Sequence, residues 1–137
     1  MTRCLMVGGG GFIGTNLAKA LQENGLYVRV FSRSKPSVMP AGVEWIRGDV
    51  SDASLLLSSM MGCDLVIHLA GGSTPGGSNL DKVSDLKSSL IPTIQLLEAC
   101  RACEVSKVIF ASSGGTVYGP SASTPIPETC DQDPISA

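Results

Sequence analysis

Five glycines, at positions 8, 9, 10, 11 and 14, stand in "MVGGGGFIGTNLAKAL" between a short apolar run and a segment of helical spacing. Glycine inside an element costs about 0.5 to 1 kcal/mol relative to alanine, so this density points to a backbone that a ligand must approach closely. In the spacing Gly8-x-x-Gly11-x-x-Gly14, Gly8 would make the tight turn out of a strand. Gly11 would let backbone N–H groups reach a pyrophosphate with no Cβ in the way, and Gly14 would let the helix pack closely on the strand. The helix N-terminus adds unpaired N–H donors and a partial positive charge, which is the chemistry of dinucleotide phosphate binding.

Other reactive side chains are sparse. His68 is the single histidine, and its place inside the apolar run "DLVIHLA" predicts a buried, hydrogen-bonded strand residue rather than a catalytic one. Cys100 and Cys103 form a C-x-x-C late in a helical segment, where no helix N-terminus stabilises a thiolate and no second ligand pair completes a zinc site. Helix packing is expected of them, and no metal site. The stretch "ASSGGTVYGP" at 111–120 gathers three hydroxyl residue types immediately after an apolar run.

These residues need elements to position them. The runs "RCLMV", "YVRVFS", "VEWIRG", "DLVIHLA" and "SKVIFAS" are rich in β-branched and apolar residues and alternate with segments of helical spacing. Strands alternating with helices imply a parallel sheet with right-handed crossovers, here five strands with helices on both faces. In the first helix Ile13, Leu17 and Leu21 make one apolar stripe, ended by Asn24-Gly25 as a C-cap. Asp52 is the N-cap expected for "ASLLLSSMMG". From about 80 to 103, Val83, Leu86, Leu90, Ile94 and Leu97 share a face, and Pro92 predicts a kink or break.

At 137 residues, 43% apolar and 16% charged, the chain has the length and balance of one globular domain with buried strands. Its net charge of -2 and singly scattered Lys and Arg argue against a nucleic-acid partner. No run approaches the length of a membrane span, and an odd count of five irregularly spaced cysteines suits reduced thiols, so a cytoplasmic protein is expected. After Gly119 the chain turns irregular and holds four of the eight prolines, which divides it into residues 1–119 and a loop or linker over 120–137.

Five motifs in order carry a family resemblance: "GGGGFIG" at 8–14, "GDV" at 48–50, "DLVIHLAG" at 64–71, "LIPTIQLLEA" at 90–99 and "SSGGTVYG" at 112–119. Together they resemble the extended short-chain dehydrogenase/reductases, and within them the nucleotide-sugar epimerase/dehydratase group. The resemblance implies a Rossmann-like doubly wound α/β domain with strand order 3-2-1-4-5, binding NAD or NADP. It places the cofactor against Gly8, Gly11, Phe12, Ile13 and Gly14, with Asp49 and Val50 at the adenine edge and Leu69, Ala70 and Gly71 along the cleft. In the family, the residue ending the second strand selects the cofactor, and an Asp there would bind the ribose 2′-OH of NAD. Ser32 fills that slot eighteen residues beyond Gly14, and Arg33 follows it. With the carboxylate gone, a charge-assisted bond from Arg33 to a 2′-phosphate, worth about 1.5–3 kcal/mol, favours NADP by roughly ten- to a hundredfold.

The resemblance also implies a mechanism. A Tyr from a Tyr-x-x-x-Lys motif serves as base on a sugar hydroxyl, helped by a Ser or Thr after the fifth strand. Neither Tyr27 nor Tyr118 has Lys four residues on, and Tyr118 is expected to pack structurally. In the family a segment like "DPISA" immediately precedes the catalytic Tyr, so a chain truncated before the last strands and the sugar-binding C-terminal domain is expected. Aligned on "TVYG", the family's Ser position is held by Gly114, which leaves Thr116, and second Ser113, as the hydroxyl. The resemblance thus implies the NAD(P)-binding part of a UDP-glucose 4-epimerase-like enzyme, inactive as this piece. An NADPH-dependent carbonyl reductase and a non-catalytic NAD(P)-binding sensor are the alternatives. Apolar Val108, Ile109 and Phe110 on an open fifth strand predict self-association, as a homodimer or less specifically.

Overall fold

The computed structural model describes residues 1–71, 79–120 and 124–134. Five parallel strands, β1 (Arg3–Val7), β2 (Tyr27–Ser32), β3 (Glu44–Arg47), β4 (Leu65–His68) and β5 (Lys107–Phe110), form one sheet in the order β3-β2-β1-β4-β5. Their register is even: Val7 lies beside both Phe31 and His68, Ser32 beside Arg47, and His68 beside Phe110. The strand carboxyl ends therefore stop at one level.

Period-two alternation sends neighbouring side chains to opposite faces, and both faces are buried. Cys4, Met6, Val28, Val30 and Ile67 pack on one side with Ala18 of α1 (Phe12–Glu23). Leu5, Val7, Phe31 and Val66 pack on the other, against Leu56 and Met60 of α2 (Ala53–Met60) and Leu96, Ala99 and Cys100 of α4 (Leu90–Ala102). Helices on both faces of a parallel sheet make the fold doubly wound, the Rossmann-like α/β class that the motifs imply.

The helix ends follow the sequence closely. Asp52 caps α2 by accepting from the Leu55 N–H at 3.0 Å. Gly25, at φ +82°, closes α1 in a Schellman turn in which the Leu26 N–H bonds the Leu21 carbonyl and the Gly25 N–H that of Gln22.

One expectation about a helix face is corrected, and a second shared face proves to be an outward one. Ile13 does not belong to the buried stripe of α1; it is 65% exposed, and the helix meets the sheet through Ala18, flanked by Leu17 and Leu21. Because α1 begins at Phe12, Ile13 sits in the first turn beside the glycine loop, beyond the reach of the core. The stripe at 83–97 lies outside the core as well. Val83, Leu86, Leu90, Ile94 and Leu97 are all exposed, while Pro92, Leu96, Ala99 and Cys100 face inward.

From Lys82 onward the segment is also divided, into α3 (Lys82–Ser88) and α4, separated at Ser89. Pro92 explains the break: its ring would strike the carbonyl four residues back, at Ser88, were the helix continuous. In the first turn of α4 its missing N–H costs no bond. A short helix α5 (Gly114–Val117) follows β5, and the described part of the tail carries no helix or strand, folding back through an Asp133 N–H bond to the Val117 carbonyl at 3.0 Å. Residues 121–123 and 135–137 of that tail lie outside the described residues. Val108, Ile109 and Phe110 of β5 are exposed, as expected of an open edge.

Candidate functional site

A cleft of about 580 Å³ opens beyond the carboxyl ends of β1 to β4. Gly8, Gly10 and Gly11 floor it, Ser32 and Arg33 stand on one wall with Asp49 and Val50, and Leu69, Ala70 and Gly71 follow β4 into it. Open parallel sheets take ligands at this position.

The glycine loop is held from several sides. The Gly8 N–H donates to the Phe31 carbonyl at 2.8 Å, and at φ +79° a Cβ here would strike the backbone of Ala70. Gly14 acts differently from expectation. A Cβ there would collide with the backbone of Gly9, so it lets the helix start close over its own loop rather than over the strand. Gly11 is the N-cap of α1 with no side-chain cap bond, and no atom lies within 4 Å of where its Cβ would be. The first-turn N–H groups of α1 have no carbonyl four residues back within the helix to bond, and they stand next to a residue that leaves room for a ligand. These are the features a pyrophosphate needs, so the residues present fit a dinucleotide.

Across the cleft, Asp49 Oδ1 accepts from the Ser51 N–H at 3.0 Å and the Ser51 hydroxyl at 2.7 Å. Those bonds, with the Arg33 guanidinium adding to them, hold the Asp49 carboxyl below its usual range, so it stays an anion that accepts hydrogen bonds. Ser32 is less free than the sequence suggests. Its hydroxyl donates to the Ser34 carbonyl at 2.9 Å and accepts from the Trp45 indole N–H at 3.0 Å.

Some expected residues are not brought into the cleft. Phe12 and Ile13 point their side chains outward, Phe12 onto a smaller recess of about 250 Å³ shared with Thr15, Asn16 and Val38. They and Gly14 could meet a ligand only through backbone N–H groups. Ser113 stands at the N-cap position of α5 without a side-chain cap bond, and Thr116 donates its hydroxyl to the Ser113 carbonyl at 3.1 Å; neither lines the cleft. Tyr118 is half-buried at the end of the same turn. His68 is buried, bonded through Nε2 to Thr93 Oγ1 at 3.0 Å. Cys100 is buried in α4 with its thiol pushed up to about 11 by burial, which suits packing and not redox work.

Sequence reading missed part of the lining. Ser84, Lys87 and Ser88 of α3 also border the cleft. Their spacing at i, i+3 and i+4 put them on one helical face and was there to be read. Among the described residues, no three His, Cys, Asp or Glu side chains gather to hold a metal ion, and no helix is long and apolar enough to cross a membrane.

Comparison with known proteins agrees with this geometry. Residues 4–137 match the model of the NAD dependent epimerase/dehydratase family. The chain is 34% identical over 117 residues to a 2-alkyl-3-oxoalkanoate reductase of Stenotrophomonas maltophilia, covering 85% of this chain and 34% of that protein. It is 31% identical to a putative UDP-glucose 4-epimerase of Methanocaldococcus jannaschii, covering 96% and 45%. The crystal structure of Thermus thermophilus UDP-glucose 4-epimerase in complex with NAD superposes with a TM-score of 0.85 at 33% identity, over 98% of this chain and 45% of that one. The chain spans less than half the length of each of these proteins. A glycine loop on an uncapped helix, a cleft at the sheet's carboxyl edge and a match running from residue 4 to 137 agree, and the chain belongs to the NAD dependent epimerase/dehydratase family.

Proposed function

We propose that the cleft binds NAD or NADP and that the chain is the dinucleotide-binding part of a UDP-glucose 4-epimerase-like enzyme acting on nucleotide sugars. The observation that carries this reading is the open space at Gly11, the N-cap residue of α1, beside that helix's first-turn N–H groups. Gly8 and Gly11 would hold the pyrophosphate together with the N–H groups of Phe12, Ile13 and Gly14, Asp49 and Val50 would meet the adenine, and Leu69, Ala70 and Gly71 would border the nicotinamide half. When bound, the nicotinamide supplies a reversible hydride acceptor for a sugar carbinol. Thr116 or Ser113 would offer a hydroxyl to the reacting oxygen, beside a base from the family's Tyr-x-x-x-Lys motif. No carboxylate at Ser32 repels a 2′-phosphate and Arg33 can pair with it, which favours NADP.

Similarity to the 2-alkyl-3-oxoalkanoate reductase, together with Ser32-Arg33, supports a second reading as an NADPH-dependent carbonyl reductase. Five free cysteines, with the Cys4 thiol pushed up to about 12 chiefly by burial, support a reducing, cytoplasmic setting. The outward apolar face of α3 and α4 supports pairing with a second copy.

Calorimetric titration with NAD and NADP tests the site: micromolar binding of at least one is expected, and NADP the tighter. Failure of both overturns the dinucleotide reading, and equal or tighter NAD overturns the NADP preference alone. Assay of the full-length product on UDP-glucose against 3-oxo acids decides between epimerase and reductase.

A further inference from the structure

Trp45 lies on the edge strand β3, thirteen residues beyond Ser32, yet the two side chains meet. A hydroxyl has one hydrogen and two lone pairs. In Ser32 the hydrogen goes to the Ser34 carbonyl and one lone pair to the Trp45 indole N–H. One lone pair is left, on a residue that lines the cleft. A lone pair can accept from a ribose 2′-OH but offers nothing to a 2′-phosphate, whose oxygens are themselves acceptors. The indole is held in turn: Lys35 Nζ stands 6.0 Å from its ring centroid, and the Trp45 side chain packs against the α1-side core. The glycine loop closes over the same point, since a Cβ on Gly10 would lie 2.7 Å from Ser32 Oγ.

We propose that Trp45 is a positioning residue that sets cofactor choice through Ser32, fixing its hydroxyl as an acceptor that favours a ribose 2′-OH and opposes the pull of Arg33 on a 2′-phosphate. The inference rests on the dinucleotide reading of the cleft. Two determinants then act in opposite directions on neighbouring residues. Removing the indole N–H frees the Ser32 hydroxyl to turn and donate to a phosphate oxygen, so NADP gains and NAD loses.

The test measures NAD and NADP dissociation constants for the full-length wild-type protein, Trp45→Phe, Ser32→Ala and the double variant. Trp45→Phe is expected to shift the ratio of the two constants about three- to tenfold toward NADP. In the Ser32→Ala background the same change is expected to shift it by less than twofold. An unmoved ratio in the single variant, or an equal shift in both backgrounds, overturns the proposal. If neither cofactor binds the wild type, the dinucleotide reading falls first and takes this inference with it. If Trp45→Phe does not fold, the indole N–H resonance, from the single tryptophan of these 137 residues, provides the second measurement. Ser32→Ala is expected to move that resonance and speed its solvent exchange, and NAD to move it in the wild type; a resonance indifferent to both overturns the proposal.

Discussion

His68 Nε2 lies 3.0 Å from Thr93 Oγ1, and the Thr93 hydroxyl spends its own hydrogen on the Ser89 carbonyl at 2.8 Å. Thr93 must therefore accept from His68, which fixes the Nε2–H tautomer and leaves Nδ1 a bare acceptor, buried with no partner among the described residues. The contact ties the end of β4 to the first turn of α4, next to Pro92, which lines the cleft. The Phe110 ring stacks edge-on against the imidazole at 5.3 Å and helps seal it.

Burial lowers the His68 pKa below its ordinary 6.5, so the folded protein keeps this ring neutral where the unfolded chain protonates it. The full stability is present above about pH 6.5 and declines as pH falls toward the lower folded value, with a slope of at most about 1.4 kcal/mol per pH unit. Asp49 and Glu44 have lowered pKa values and act only below the ordinary carboxylate range, so the window from about 5 to 6.5 belongs to His68. Urea melts from pH 5 to 8 should show this decline, and His68→Gln should flatten it. An unchanged slope in the variant would contradict the assignment.

Gly11 and Gly14 should separate binding from folding. Gly11→Ala adds a methyl group where nothing beyond its chain neighbours lies within 4 Å, so it should cost no more than the exchange of a good N-cap residue for a poor one, about 1 kcal/mol or less, while the dinucleotide dissociation constant rises roughly tenfold. Gly14→Ala drives a methyl into the Gly9 backbone and should cost about 1 to 3 kcal/mol of stability before any ligand is added. Thermal melts paired with calorimetry read both effects; equal behaviour of the two variants would show that the loop is not built this way.

The exposed face of α3 and α4 should govern association. Leu90 and Ile94 are 50% and 51% exposed, so Leu90→Glu with Ile94→Glu should leave the fold intact and shift sedimentation from dimer to monomer. A wild type that is already monomeric at tens of micromolar would remove this role from the face.

The α2 cap offers a simpler check. Asp52→Ala removes the acceptor of the Leu55 N–H and should cost about 1 kcal/mol in chemical unfolding, whereas Asp52→Asn keeps an acceptor and should cost far less.

Local chemistry proved readable in the sequence, and long-range partnership did not. The strand runs, the Asn24-Gly25 stop and the Asp52 cap depend on neighbours a few residues away, and each stands where its local pattern puts it. Spacing alone could not say which side of a helix faces in. Leu90, Ile94 and Leu97 are more apolar as a set than inward-facing Pro92, Ala99 and Cys100, yet they point outward, and α4 packs on α2 through its smaller residues and Leu96. In α1, likewise, the buried Gly14 and Ala18 are smaller than the exposed Ile13. Ser32 looked like an open cofactor contact because its partner Trp45 comes from another strand, and only the β2–β3 pairing brings the indole within reach.

The level at which the strands end has a consequence for how such a protein can change. Val7, Phe31 and His68 stand side by side in register, and the connections that line the cleft leave from that one plane. A residue exchanged at a position where a new side chain meets nothing, as at Gly11, alters what the cleft presents without disturbing the alignment beneath it, whereas Gly8 and Gly48 are held to their size by their neighbours. Substitutions at such open positions can therefore accumulate above the plane while the glycines that fix it stay in place.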